Sequence, residues 1–132
     1  MKVLTVLVPT YNVEKYLRRC LDSLLLPEVL EEIEVLVVND GSKDGSADIA
    51  RAYEKKYPQT VVFVDKENGG HGSTINVGIE KAQGTYFKVL DSDDWVNIGD
   101  FIEFVKRLKE ETADAVICDY RKEHVYNGKS EY

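Results

Sequence analysis

Tyr86-Phe87-Lys88-Val89-Leu90-Asp91-Ser92-Asp93-Asp94-Trp95 is the stretch on which the reading of this sequence turns. Five residues rich in aromatic and aliphatic side chains suit a buried strand, and the acidic turn that follows ends it. The same arrangement occurs three times upstream. Val3–Val8 runs into Pro9-Thr10-Tyr11-Asn12, with Pro9 expected to stop the strand. Ile33–Val38 runs into Asn39-Asp40-Gly41-Ser42-Lys43-Asp44-Gly45. Val61–Val64 runs into Asp65-Lys66-Glu67-Asn68 and then Gly69, Gly70 and Gly72.

Between these runs the hydrophobic period changes to that of a helix. Val13, Tyr16, Leu17, Cys20, Leu21, Leu24 and Leu25 follow i, i+3, i+4 spacing, with Asn12 as the expected N-cap and Pro27 beyond the end. Ser46–Tyr57, Ser73–Ala82 (with Gly84 as its expected C-cap) and Ile98–Glu111 complete the helices. A fifth strand is expected at Ala115–Cys118, and Arg121–Tyr132 is expected to add a further one. Alternation of strand and helix with short connections predicts right-handed βαβ units, hence an α/β fold with a mostly parallel sheet and helices on both faces. At 132 residues, without repeats or linkers, one domain is expected.

A net charge of −7 argues against nucleic acid as a partner. Cys20 and Cys118 fit no zinc or redox spacing and sit among apolar neighbours, as small buried side chains in a reducing compartment do. The apolar run before Pro9 is too short for a signal peptide or a membrane span, which points to a cytoplasmic chain.

In a parallel sheet every turn that follows a strand lies along one edge, where open α/β folds bind ligands. Four polar turns converge there. Asp91 and Asp93 present hard oxygen donors suited to Mn²⁺ or Mg²⁺, although Asp-x-Asp alone is a common string. Asp40, Ser42, Asp44 and Gly45 imitate the start of a calcium-binding EF-hand loop, but Arg51 stands where that loop needs a bidentate glutamate. Asp44 and Ser46 are therefore read as helix caps, and Asp40 as the ligand contact. Gly69, Gly70 and Gly72 ahead of a helix resemble a phosphate-cradling loop, with His71 exposed among them. The string is neither a Walker A motif nor a dinucleotide fingerprint. Nor does a glycine-rich triphosphate loop follow the first strand.

The residues from Val8 to Asn12, from Val37 to Ser46, from Asn68 through Asn76-Val77-Gly78, from Ala82 to Tyr86 and from Leu90 to Trp95 together resemble the family 2 glycosyltransferases of GT-A, Rossmann-like fold. The resemblance runs from Val3 to about Asp119. It implies transfer of a sugar from a nucleoside-diphosphate donor, most commonly a UDP-sugar, to a hydroxyl of a saccharide or lipid-linked acceptor, with inversion. It implies a nucleotide site of Pro9, Thr10, Tyr11, Asn12, Asp40, Ser42, Asn68, Gly70, His71, Asn76, Asp91 and Ser92. Tyr11 would lie near the base and Asp40 would bond a base N–H. It implies a Mn²⁺ or Mg²⁺ held by Asp93 and Asp91. Many relatives carry an arginine where this chain has Ile75. The general base and the strands of the acceptor side are expected C-terminal to Tyr132, leaving no catalytic base in this chain and an open sheet edge prone to self-association. A cytoplasmic site is expected, at the membrane face if a longer protein carries an anchor.

Overall fold

A computed structural model of the protein describes residues 2–110. The strand expected at Ala115–Cys118 and the tail Arg121–Tyr132, with Cys118 and His124, lie outside the described residues. Among the described residues four strands and four helices alternate: β1 (Leu4–Thr10), α1 (Leu17–Leu24), β2 (Ile33–Asp40), α2 (Ser46–Lys56), β3 (Val61–Lys66), α3 (His71–Lys81), β4 (Tyr86–Val89) and α4 (Ile98–Glu110). All four strands are parallel, in the order β3-β2-β1-β4. The chain builds outward from β1 to β3, then returns to place β4 on the other side of β1. The crevice between the ends of β1 and β4 is thus the point where the strand order reverses, the place where such sheets take ligands.

Alternate residues of each strand feed two cores. Leu4, Val6 and Val8 of β1, with Ile33, Val35 and Val37 of β2, pack under α1, α2 and α4, where Phe101, Phe104 and Val105 are among the anchors. Leu7, Leu36 and Val38 form the second core on the opposite face, with Ile75 and Val77 of α3 against it. Each fully buried side chain of this size contributes about 1.5–3 kcal/mol relative to exposure, so the near-continuous apolar runs of β1 and β2 favour burial on both faces.

Two buried polar groups interrupt the α3 face, and they pair. Thr5 Oγ1 donates to Glu34 Oε1 at 2.8 Å, and the same oxygen accepts from Gln83 N at 2.9 Å. Gly84 N donates to Thr5 Oγ1 at 2.8 Å. This network fastens the α3–β4 turn to the central strands. A methyl group on Gly84 would lie 2.5 Å from Thr5 N and 2.7 Å from Leu4 C.

Several local expectations are corrected. β1 passes through Pro9 to Thr10, because β4 pairs with β1 only as far as Leu7↔Val89; beyond that point a residue without an N–H is tolerated as on an edge strand. β2 and β3 each run two residues further than expected, through Asn39↔Asp65 and Asp40↔Lys66. Asn12 is not an N-cap. Its φ of 52° turns the chain, Val13–Tyr16 forms a turn, and α1 starts at Leu17 behind Tyr16. α3 starts two residues early, at His71, directly behind Gly70 at φ 94°. It ends at Ala82 in extended backbone, so Gly84 is required by its close approach to β1 and not as a helix cap.

Candidate functional site

The loops behind β1, β2, β3 and β4 border one cleft of about 540 Å³, lined by Pro9, Thr10, Tyr11, Val13, Asp40, Asn68, Gly70, His71, Thr74, Asp91, Ser92 and Asp93. Its three carboxylates divide between the two strands that flank β1: Asp40 closes β2, whereas Asp91 and Asp93 follow β4.

Asp40 is buried and held through both carboxylate oxygens. Its Oδ1 accepts from Lys66 Nζ at 2.8 Å and Gly69 N at 2.8 Å, and its Oδ2 accepts from Gly70 N at 3.1 Å. Its backbone oxygen accepts from Asn68 Nδ2 at 3.0 Å. Burial alone would raise the carboxyl's pKa. The bonds from Lys66, Gly69 and Gly70 outweigh it, and the group stays ionised below the usual carboxylate range. The close fit of the two turns depends on Gly41 at φ 74°, where a methyl group would come within 2.9 Å of Asn68 N. Asp40 therefore shapes the Gly69-Gly70 turn that delivers the N-terminus of α3 to the cleft. His71, Gly72 and Ser73 open that helix, with its positive end toward the cavity.

Behind β1 and β2 a second set of bonds joins the loops. Asn12 N donates to Ser42 Oγ (2.9 Å) and Lys43 N to Asn12 Oδ1 (2.7 Å). Glu14 N donates to Asp44 Oδ2 (3.1 Å) and Gly45 N to Glu14 Oε1 (3.1 Å). Val13 N donates to Ser46 Oγ (3.0 Å), while Asp44 Oδ1 accepts from Ser46 N (2.9 Å) at the start of α2. Partial removal from water pushes the Asp44 carboxyl up, but the Ser46 and Glu14 donors prevail and hold it below its ordinary value. These reciprocal bonds fix Thr10 and Tyr11 over the cleft. Tyr11 is 49% exposed, an aromatic face left open to solvent.

The acidic loop is held by α1. Cys20 Sγ donates to Asp91 O at 3.8 Å, Ser23 Oγ accepts from Val96 N at 3.1 Å, and the Arg19 guanidinium lies 3.5 Å from the centre of the Trp95 ring. Burial, reinforced by Asp94, Asp91 and Asp93, pushes the Cys20 thiol up, so it stays protonated and serves as a weak donor. Asp94 N closes a turn onto Asp91 O at 2.9 Å. Carboxylate oxygens of Asp91, Asp93 and Asp94 lie within 4.8 Å of one another, the first two exposed and the third buried. Three hard oxygen donors so close together fit a divalent cation of the Mn²⁺ or Mg²⁺ class.

Of the residues expected at the site, Pro9, Thr10, Tyr11, Asp40, Asn68, Gly70, His71, Asp91, Ser92 and Asp93 meet at the cleft. Asn12 and Ser42 do not line it; Ser42 Oγ is spent on Asn12 N, and Asn12 Oδ1 on Lys43 N. Asn76 is exposed along α3 and also lies off the cleft lining. Sequence reasoning missed Lys66, Asp94 and Thr74. Lys66 was detectable in principle, as a cation ending the strand beside the one that Asp40 ends. Thr74 stands one helical turn after His71, and Asp94 adjoins the Asp-x-Asp pair.

A family model described as Glycosyl transferase family 2 matches residues 5–130. EpsH of Bacillus subtilis is 41% identical over 126 residues, covering 96% of this chain and 36% of EpsH. The glycosyltransferase GlyA of Streptococcus pneumoniae is 38% identical over 118 residues, 89% of this chain and 16% of GlyA. Among solved structures, S. aureus TarS in complex with UDP-GlcNAc superposes with a TM-score of 0.67 at 34% identity, over 83% of this chain and 32% of that one. The mannosyltransferase PcManGT of Pyrobaculum calidifontis, in complex with GDP-Man and Mn²⁺, gives 0.70 at 26% identity, over 78% and 31%. The chain thus spans about a third or less of the length of these proteins.

Proposed function

The chain belongs to glycosyl transferase family 2 and has the GT-A fold, and from that premise we propose that its cleft binds a nucleoside-diphosphate sugar, a UDP-sugar first among the candidates, for transfer to an acceptor hydroxyl. The observation that carries this proposal is the meeting of Asp40, the start of α3 and the Asp91–Asp94 loop at one crevice where the strand order reverses.

Each part has a role its chemistry suits. The exposed Tyr11 ring offers a stacking face for a base, and ionised Asp40 offers an acceptor for a base N–H. The N-terminus of α3, with Gly70 and His71, favours the negative charge of a diphosphate. Asp93 and Asp91, with Asp94 beside them, would hold the cation, which when bound neutralises charge on the departing diphosphate. Asp40, Asp91 and Asp93 are the carboxylates lining the cleft among the described residues, and all three are committed to the donor. Deprotonation of the acceptor is therefore assigned to none of the described residues, and inversion is expected from direct displacement. Saccharide or lipid-linked acceptors and polysaccharide synthesis at a cytoplasmic site belong to the same proposal. No described helix is long and apolar enough to cross a membrane.

Titration calorimetry with UDP, GDP and dTDP, with and without Mn²⁺, tests it. Cation-dependent binding that Asp93→Ala abolishes is the expected result. A folded chain that binds none of the three would sink the proposal.

A further inference from the structure

Resting on that reading of the cleft, we propose that Lys66 is a positioning residue: it fixes the orientation of the Asp40 carboxylate so that an oxygen with a free lone pair meets the nucleobase, and so favours a base that presents an N–H there over one that presents a lone pair. Asp40 and Lys66 are register partners at the last positions of β2 and β3. Their side chains meet at 2.8 Å between Nζ and Oδ1, largely shielded at 17% and 8% exposure. A second bond from Nζ to Glu67 O, at 2.7 Å, fixes the ammonium from the other side.

A carboxylate oxygen accepts about two hydrogen bonds. Oδ1 has two, from Lys66 and Gly69, and is saturated. Oδ2 has one, from Gly70, and keeps an acceptor site. Asp40 lines the cleft and Lys66 does not, so the lysine acts on the cavity only through the carboxylate. Room for the lysine depends on Gly69, where a methyl group would stand 3.0 Å from Nζ and 2.8 Å from Ser73 Oγ. The terminal torsion of an aspartate is broad and two-fold. Without its cationic donor the carboxylate is held only by the two glycine amides and gains freedom to turn.

The consequence is chemical. Uracil offers an N–H at the imide nitrogen, which an acceptor-only oxygen welcomes. Cytosine offers a lone pair at the same atom, which it repels. UDP and CDP share sugar and diphosphate, so their affinity ratio isolates this contact from the cation and from phosphate attraction.

The test is calorimetric titration of the full chain with UDP and with CDP, in Mn²⁺, for the wild type, Lys66→Met and Lys66→Arg, each checked by thermal melting. Wild type is expected to prefer UDP by about tenfold or more, the size of one charge-assisted hydrogen bond. Lys66→Met is expected to lose most of that preference by weakening UDP and sparing CDP, and Lys66→Arg to recover part of it. An unchanged UDP-to-CDP ratio in Lys66→Met, or an equal loss for both nucleotides, would overturn the proposal. Should Lys66→Met melt too early, Lys66→Gln carries the same comparison. A wild type that binds neither nucleotide brings down the reading of the cleft, and the base preference with it. The ligand-free crystal structure of Lys66→Met then decides the positioning role separately: a turned Asp40 carboxylate supports it, and a carboxylate still seated on Gly69 N and Gly70 N overturns it.

Discussion

Replacing Gly84 with alanine places a methyl group where the central strand already stands. The new carbon would lie 2.5 Å from Thr5 N, 2.7 Å from Leu4 C and 2.7 Å from Thr5 Oγ1. Two of these are backbone atoms of β1, which is hydrogen-bonded on both sides at this point, so no rotamer change relieves the clash. Either β1 shifts or the Gln83-Gly84 turn lifts and loses its bond to Thr5 Oγ1. Overpacking costs about 1–3 kcal/mol and the lost bond about 1 more, a total of roughly 2–4 kcal/mol. For a domain of this size that lowers the melting temperature by on the order of 10 °C. Thermal and urea melts followed by far-ultraviolet circular dichroism measure it. Gly72→Ala is the matched control, since nothing lies within 4 Å of its added methyl and the residue sits in the first turn of α3; it should hold or raise stability by up to about 1 kcal/mol. If Gly84→Ala melts with the wild type, the contact between this turn and β1 is not as tight as described, and the glycine has no steric requirement.

Other perturbations have distinct signatures. Asp40 and Asp44 have folded pKa values lowered below the unfolded carboxyl value, so their stabilisation is complete above the unfolded pKa and is lost as pH falls through the folded one. Urea midpoints should hold at neutral pH and drop below about pH 4, and Asp44→Asn should flatten that acid limb. Ser23→Ala leaves Val96 N without its acceptor in a buried site; a loss of about 1–3 kcal/mol is expected, with cation-dependent nucleotide affinity reduced because the acidic loop loses an anchor. Glu54 Oε2 accepts from Phe63 N on the outer side of β3. Glu54→Ala should uncover that edge and raise self-association at high concentration, read by light scattering.

The fold was legible because β1 and β2 carry near-continuous apolar runs, broken only by Thr5 and Glu34 before their polar ends, and α1 and α4 keep a helical stripe; burial and periodicity are local signals. What escaped the sequence was set by neighbours. A proline after Val8 predicts a strand end only if a partner strand needs its N–H, and β4 stops pairing with β1 at Leu7. Asn12 has the composition of an N-cap, yet its amide and side chain go to Ser42 and Lys43, some thirty positions along. Gly84 looks like a helix cap by spacing, and only the packing of its turn on β1 gives its real reason. The site followed the same rule. Which turns meet was readable from strand order, whereas which polar atoms within those turns remain available was not.

That last distinction separates two classes of residue that look alike in sequence. Asn12, Ser42, Asp44 and Ser46 are polar, sit in turns at the carboxyl edge, and accept bonds chiefly from backbone amides of these two loops; their effect on a ligand runs through the placement of Tyr11. Asp40 is bonded as heavily, yet lines the cavity, and Asp91 and Asp93 are exposed there with their loop held from behind by the Ser23 hydroxyl and Cys20 thiol of α1. If the division is right, Ser42→Ala and Asp93→Ala should fail differently. Ser42→Ala removes one exposed bond between loops, costs about 1 kcal/mol of stability, and weakens UDP binding modestly with or without Mn²⁺. Asp93→Ala should leave the melting temperature nearly unchanged and remove only the part of the affinity that depends on the cation. Parallel titrations at zero and saturating Mn²⁺ separate the two, and a cation-specific loss in Ser42→Ala would mean that the interloop bonds extend their influence to the acidic loop.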